Sequence, residues 1–122
     1  MYSTDVCVPI SKLSDCIVET VKDLEENNLV GPIASHAGDG NFHVAVMLDL
    51  NNKNEVSKLG PFLDRLSERA IKMDGTCTGE HGIGQGKRKY MYNELGNSVD
   101  VMEAIKKSFD PNLIMNPGKL FI

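Results

Sequence analysis

Hydrophobic positions along the chain change period several times, and each change marks a predicted element. Val6 to Ile10 is an apolar run of strand length, with Pro9 near its end, where a missing N–H is tolerable. From Ser11, a good N-cap residue, Leu13, Ile17, Val21 and Leu24 recur at helical spacing until Glu26-Asn27-Asn28. Gly31-Pro32 punctuates, and Ile33-Ala34-Ser35-His36 begins a second strand. Asp39-Gly40 is a strong hairpin signal, and Phe42 to Leu50 supplies the returning strand, with Val44, Val46 and Leu48 alternating. A second helix is predicted from Asn54 to about Met73 on the stripe of Val56, Leu59, Leu63, Leu66, Ala70 and Met73. Gly60-Pro61 lies inside it, and because Pro61 deletes a backbone hydrogen bond a kink or restart is expected there. Asp74-Gly75 ends that helix, and Thr76-Cys77-Thr78 can form a last short strand.

The order β-α-β-β-α-β defines an α+β fold of ferredoxin-like type, an antiparallel sheet with helices on one face. A helical tail follows. Lys87 to Leu95 reads as one short helix ended by Gly96, and Ser98 as the cap of another. That last helix is expected to carry Val99, Met102, Ile105 and Phe109 inward until Asp110-Pro111 stops it. The 122 residues have room for one domain, with a core over 1–80 and a glycine-rich loop plus tail over 81–122. An arrangement this common does not specify a function, which must be argued from a site.

Charge and composition narrow the choice. The net charge of -4 and a pI near 5.3 leave no basic face for nucleic acid, so no nucleic-acid partner is expected. No apolar run approaches the ~18–20 residues that cross a bilayer, and no secretory signal is visible. Cys7, Cys16 and Cys77 are an odd set without CxxC spacing, which fits a reducing compartment. Cys7 and Cys16 read as small packing residues, whereas Cys77 lies three positions before a Glu-His pair. The strand-like run Thr4-Asp5-Val6-Cys7-Val8 follows Met1 almost at once, as expected of a chain that begins inside a larger protein.

Candidate chemistry concentrates in two glycine-rich segments, which between them hold all three histidines. If Asp39-Gly40 are the two turn residues, His36 faces His43 across the hairpin. Directly opposed residues share a face with Cβ atoms roughly 4.5–5.5 Å apart, so two imidazoles could converge on one ion. A cross-strand histidine pair can also be ordinary sheet packing, and an Asp-Gly turn is usually only a turn. A metal needs a further protein ligand, which the loop Gly79-Glu80-His81-Gly82 can provide. Two histidines and a carboxylate suit zinc, and equally manganese or iron, with one position left for a substrate oxygen. Gly82-Ile83-Gly84-Gln85-Gly86-Lys87 lacks the spacing of a phosphate loop and reads as a flexible entry to a helix.

Three motifs together carry a resemblance. His-Ala-Gly-Asp-Gly-Asn-Phe-His at 36–43, Gly-Thr-Cys-Thr-Gly-Glu-His-Gly-Ile-Gly at 75–84 and Asp-Pro-Asn-Leu-Ile-Met-Asn-Pro-Gly-Lys at 110–119 resemble the C-terminal motifs of FAD-linked oxidases. That family includes D-lactate dehydrogenase, D-2-hydroxyglutarate dehydrogenase and the glycolate oxidase flavoprotein subunit, and the wording is most similar to the mitochondrial, cytochrome-linked members. The resemblance implies that His36, His43 and Glu80 ligate a divalent metal, Zn or Mn, which grips a 2-hydroxy acid. It implies that His81 takes the hydroxyl proton while hydride passes to FAD, with Glu80 and His81 able to exchange roles. It also implies that Asn116 and Lys119 return the chain toward the flavin and its domain, with an electron acceptor such as cytochrome c and a mitochondrial location.

The FAD domain, and the basic residues expected to hold a substrate carboxylate, are not in these 122 residues. The chain alone is therefore expected to be catalytically inert, to keep its metal weakly, and to self-associate through apolar surface of the tail. Two other classes remain open at this point. One is a stand-alone metal-binding or interaction module; the other is a metal-dependent hydrolase in which His81 activates water.

Overall fold

The computed structural model describes residues 1–121, which divide into two compact units, Met1–His81 and Gly82–Ile122. In the first unit the elements are β1 (Tyr2–Ser3), β2 (Val6–Cys7), α1 (Ile10–Glu26), β3 (Ile33–His36), β4 (Asn41–Val46) and α2 (Lys53–Lys72). β1 and β2 run along β4 in one antiparallel register, with Tyr2 opposite Val46, Ser3 opposite Ala45, Val6 opposite Phe42 and Cys7 opposite Asn41. They act as a single strand interrupted at Thr4-Asp5. β3 pairs with the other edge of β4, and Cys7 makes a two-bond antiparallel bridge to Thr76. The expected last strand at 76–78 is thus reduced to that bridge. The spatial order is nevertheless that of a split β-α-β sheet, with the hairpin strand β4 inserted between β3 and the N-terminal strand.

Alternation along β4 decides which side of the sheet the helices cover. Phe42, Val44 and Val46 are fully buried and share a core with Leu13, Cys16 and Leu24 of α1 and Phe62, Leu66 and Ala70 of α2. Asn41, His43 and Ala45 point to the other face. The α+β class and the helices on one face agree with expectation, and the histidines of the hairpin stand on the face that α1 and α2 leave open.

Several boundaries differ from the sequence reading. Pro9, not Ser11, precedes α1, and no side chain caps that end. Asn52 caps α2, accepting from the N–H of Asn54 and Glu55. α2 runs through Gly60-Pro61 as one helix with no restart: Phe62, Leu66 and Ala70 beyond the proline are buried in the core, and Leu59 just before it packs partly buried against the same cluster. α1 and α2 are also tied by charge. Asp23, 6 % exposed, receives Arg65 at 2.6 Å and Arg69 at 2.8 Å, and Arg69 also donates to Thr20.

The second unit holds a 3-10 turn (Arg88–Tyr90), α3 (Met91–Leu95) and α4 (Ser98–Phe109). Gly96, at φ 54, ends α3 as expected, but Asn97 rather than Ser98 precedes α4 and its side chain makes no cap bond. The inward stripe expected of α4 is not formed. Val99 is buried, while Met102, Ile105 and Phe109 are exposed. Among the described residues no helix is long and apolar enough to cross a membrane.

Candidate metal centre on the open face of the sheet

The hairpin register is the first determinant of the site. His36 lies opposite Asn41, and His43 opposite Ala34, so the loop is the four residues Ala37–Gly40 and not a two-residue turn. The expected direct opposition of His36 and His43 is therefore off by two positions. Because side chains alternate with period two, an even slip keeps both on one face. Their ring centroids stand 6.0 Å apart, edge to face. Gly40 explains the longer loop. It sits at φ 76, its carbonyl accepts the Val8 N–H at 3.0 Å, and a Cβ there would fall 1.9 Å from the Val8 carbonyl oxygen. The chain at the end of β2 thus holds the turn through the Val8–Gly40 backbone bond, to which the Cys7 thiol adds a bond to the Asp39 carbonyl.

The chain following Thr76 brings Glu80 and His81 to the same place. Glu80 Oε1 lies 3.0 Å from His43 Nε2, 3.5 Å from His81 Nε2 and 3.9 Å from His36 Nε2. His43 is mostly buried, whereas His36, Glu80 and His81 are exposed by about half or more. All four sequence-predicted residues of this centre are gathered around one carboxylate oxygen.

The interruption of the N-terminal strand has a consequence for His43. The Val44 N–H is donated to the Thr4 hydroxyl at 2.8 Å, and the Thr4 carbonyl accepts from His43 Nδ1 at 2.8 Å. A carbonyl only accepts, so Nδ1 carries the proton and a neutral His43 presents a lone pair at Nε2. That lone pair faces a carboxylate oxygen at 3.0 Å. Two acceptors at this distance require a shared proton or a cation between them.

The donor set therefore fits a divalent ion. One ligand atom each from His36, His43 and Glu80 lies within 4.8 Å of the others, and ligands about 2.0–2.1 Å from a tetrahedral centre stand ~3.3 Å apart. A second combination, Asp5 with His43 and His81, is also compact. It is the poorer ligand set, because Asp5 is already occupied: its oxygens accept from Asn41 Nδ2, Thr78 Oγ1 and the N–H groups of Gly79, Glu80 and His81. Cys7 belongs to neither group: its thiol donates to the Asp39 carbonyl at 3.2 Å, and burial, then the charges of Asp39 and Asp5, push that thiol up. Cys77, near in sequence, is fully buried, and burial pushes the Cys16 thiol up to about 11.

Asn116 and Lys119 lie in the second unit. There they line a shallow cavity of about 240 Å³ with Leu113, Met115 and Phe121, and the Asn116 carbonyl accepts the Lys119 N–H. The sequence reading overlooked Thr4 and Asp5. Their signal was a polar pair set into an apolar strand, where a buried hydroxyl and carboxylate must find partners.

Residues 1–120 match the family of FAD linked oxidases, C-terminal domain, and the chain belongs to that family. It is 57% identical over 120 residues to the probable mitochondrial D-lactate dehydrogenase of Danio rerio, covering 98% of this chain and 24% of the relative. Against the mitochondrial D-lactate dehydrogenase [cytochrome] 1 of Saccharomyces cerevisiae it is 45% identical, covering 99% and 20%. The D-2-hydroxyglutarate dehydrogenase of Stutzerimonas stutzeri is 34% identical, with 98% and 27% covered. The chain thus spans about a quarter of the length of the curated relatives it matches.

Proposed function

We propose that this chain contributes the metal site and the proton acceptor of an FAD-linked D-2-hydroxyacid dehydrogenase that oxidises D-lactate to pyruvate. The observation that carries the reading is the approach of three imidazole Nε2 atoms to one oxygen of Glu80. His36, His43 and Glu80 hold a divalent ion, Zn or Mn. When bound, the ion lowers the pKa of a substrate hydroxyl, and FAD supplies the acceptor for hydride. His81, mostly exposed beside the cluster, takes the hydroxyl proton at Nε2 as the C–H electron pair leaves with hydride and the C–O bond becomes a carbonyl. A neutral imidazole nitrogen offers the lone pair that such a transfer needs. The exposure of His36 and Glu80 leaves a side of the cluster open to a small 2-hydroxy acid.

In this reading Asn116 and Lys119 contact the flavin, which is held mainly by a separate domain. The names of the relatives favour a mitochondrial location and a cytochrome as electron acceptor. The test is a metal titration of the protein beside His36→Ala and His43→Ala. One equivalent of zinc or manganese, lost in both variants, is the expected result. Absence of divalent binding, or binding indifferent to both substitutions, overturns the proposal.

A further inference from the structure

Asp5 is an acid placed where the sheet would ordinarily carry an apolar or neutral residue. It is 4 % exposed, and the register of β1 and β2 on β4 sets it opposite His43. Its Oδ2 accepts the N–H of Gly79 at 2.9 Å, Glu80 at 3.1 Å and His81 at 3.0 Å, with the Thr78 hydroxyl at 3.3 Å. Its Oδ1 accepts Asn41 Nδ2 at 2.8 Å and lies 3.8 Å from His43 Nδ1. Three consecutive backbone N–H groups turned to one point form an anion-binding concavity, and here the anion is the chain's own side chain.

Asn41 closes this arrangement from the hairpin side. Its amide donates to both Asp5 and the Val6 carbonyl, leaving Oδ1 buried without a donor among the described residues. The same amide lies over Gly79, where a Cβ would fall 1.8 Å from Asn41 Nδ2 and 2.5 Å from Asp5 Oδ1. Glycine at 79 is therefore required by close approach. The loop that carries Glu80 and His81 has no regular structure to hold it, and the Asp5 carboxylate takes that part.

We infer that Asp5 is a positioning residue, a buried carboxylate that binds the Gly79–His81 backbone and so aims Glu80 and His81 at the hairpin histidines. It acts through those residues and does not itself ligate. The inference rests on the proposed metal site for its consequence, but the anchor has a signature of its own, because amides bound to a buried acceptor exchange slowly with solvent.

The experiment compares the protein with Asp5→Asn, Glu80→Gln and the double variant, by amide hydrogen exchange and by zinc titration. Gly79→Ala, which dislodges the same contact while keeping the carboxylate, is a second route should Asp5→Asn fail to fold. In the wild type the amides of 79–81 should be protected although the side chains of Glu80 and His81 are exposed. Asp5→Asn should remove that protection at least ~10-fold while leaving the amides of β4 and α2 unchanged. Loss of a group that orients a ligand typically costs ~10–100-fold in metal affinity, so zinc should weaken by that factor. In the Glu80→Gln background Asp5→Asn should add nothing, because the two act through one ligand, whereas a general loss of stability would weaken zinc in both backgrounds.

Unprotected wild-type amides, or protection that survives Asp5→Asn and Gly79→Ala, overturn the anchor. Unchanged or fully additive zinc affinities overturn its role in aiming Glu80. If the wild type binds no zinc, the metal reading fails separately, and amide exchange alone then decides the anchor.

Discussion

Thr4 makes two bonds that an ordinary strand residue does not, and together they set the chemistry of His43. Its hydroxyl accepts the Val44 N–H, which releases its carbonyl from the ladder to hold His43 Nδ1. Thr4→Val keeps the shape and removes the hydroxyl, leaving a fully buried N–H without its acceptor, at a cost of about 1–3 kcal/mol. Urea unfolding should show that loss, and Thr4→Ser should recover most of it. A Thr4→Val protein as stable as wild type would mean that the carbonyl had returned to Val44, and nitrogen shifts of the His43 ring would then report a lost Nδ1 partner. Residue chemistry of this kind was only partly legible in the sequence. The four residues gathered around the Glu80 oxygen could be read from two motifs, because all three histidines of the chain fall in them and Glu80 stands beside one. Thr4 and Asp5 could not be given roles, since what they do depends on facing His43 and the 79–81 backbone across long stretches of chain.

At the scale of elements, local pattern was reliable where one element carries its own signal and unreliable where a neighbour decides. Both long helices follow from their stripes. The hairpin register does not, because Val8 pins Gly40 from another strand and lengthens the loop. The even slip spares the site, since His36 and His43 still share a face. Continuity of α2 through Pro61 is likewise a tertiary result, and part of the same packing is the Asp23 pairing with Arg65 and Arg69. Burial alone would raise the Asp23 pKa, but hydrogen bonds from the two guanidinium groups and their charges outweigh it and hold the carboxyl below its usual range. A depressed folded pKa means that the contribution is present above the unfolded value of ~3.9 and is lost as pH falls through the folded one. Asp23→Asn should therefore cost about 2–3 kcal/mol at neutral pH, somewhat less than a fully buried pair because Arg65 is partly exposed. Denaturant melts from pH 7 down to pH 3 should show the gap between variant and wild type closing in acid. A gap of constant size would show that the pairing contributes packing and not charge.

For the molecule as a whole, the two units differ in how they spend their apolar residues. The first buries Phe42, Phe62 and Leu66 almost completely between sheet and helices. In the second, Val101, Ile105 and Phe109 recur at four-residue steps along α4 and are 60%, 54% and 82% exposed, with Ile114 and Met115 exposed after them. A stripe at that spacing is the kind of surface a helix ordinarily covers, and contiguous apolar patches are uncommon on monomers. A second copy of the chain offers the same stripe, so the protein should self-associate as its concentration rises. Sedimentation velocity should show the average mass climbing above that of a monomer, and Ile105→Lys with Phe109→Lys should return it to the monomer value with helix content unchanged. Salt separates this from charge pairing, because screening weakens ion pairs such as Lys107 with Glu103 on the same helix but does not weaken apolar contact. Association that persists in strong salt and disappears in the double variant assigns it to the stripe. A wild type that stays monomeric throughout would show that the exposed face of α4 is too small or too divided by its lysines to hold a second copy.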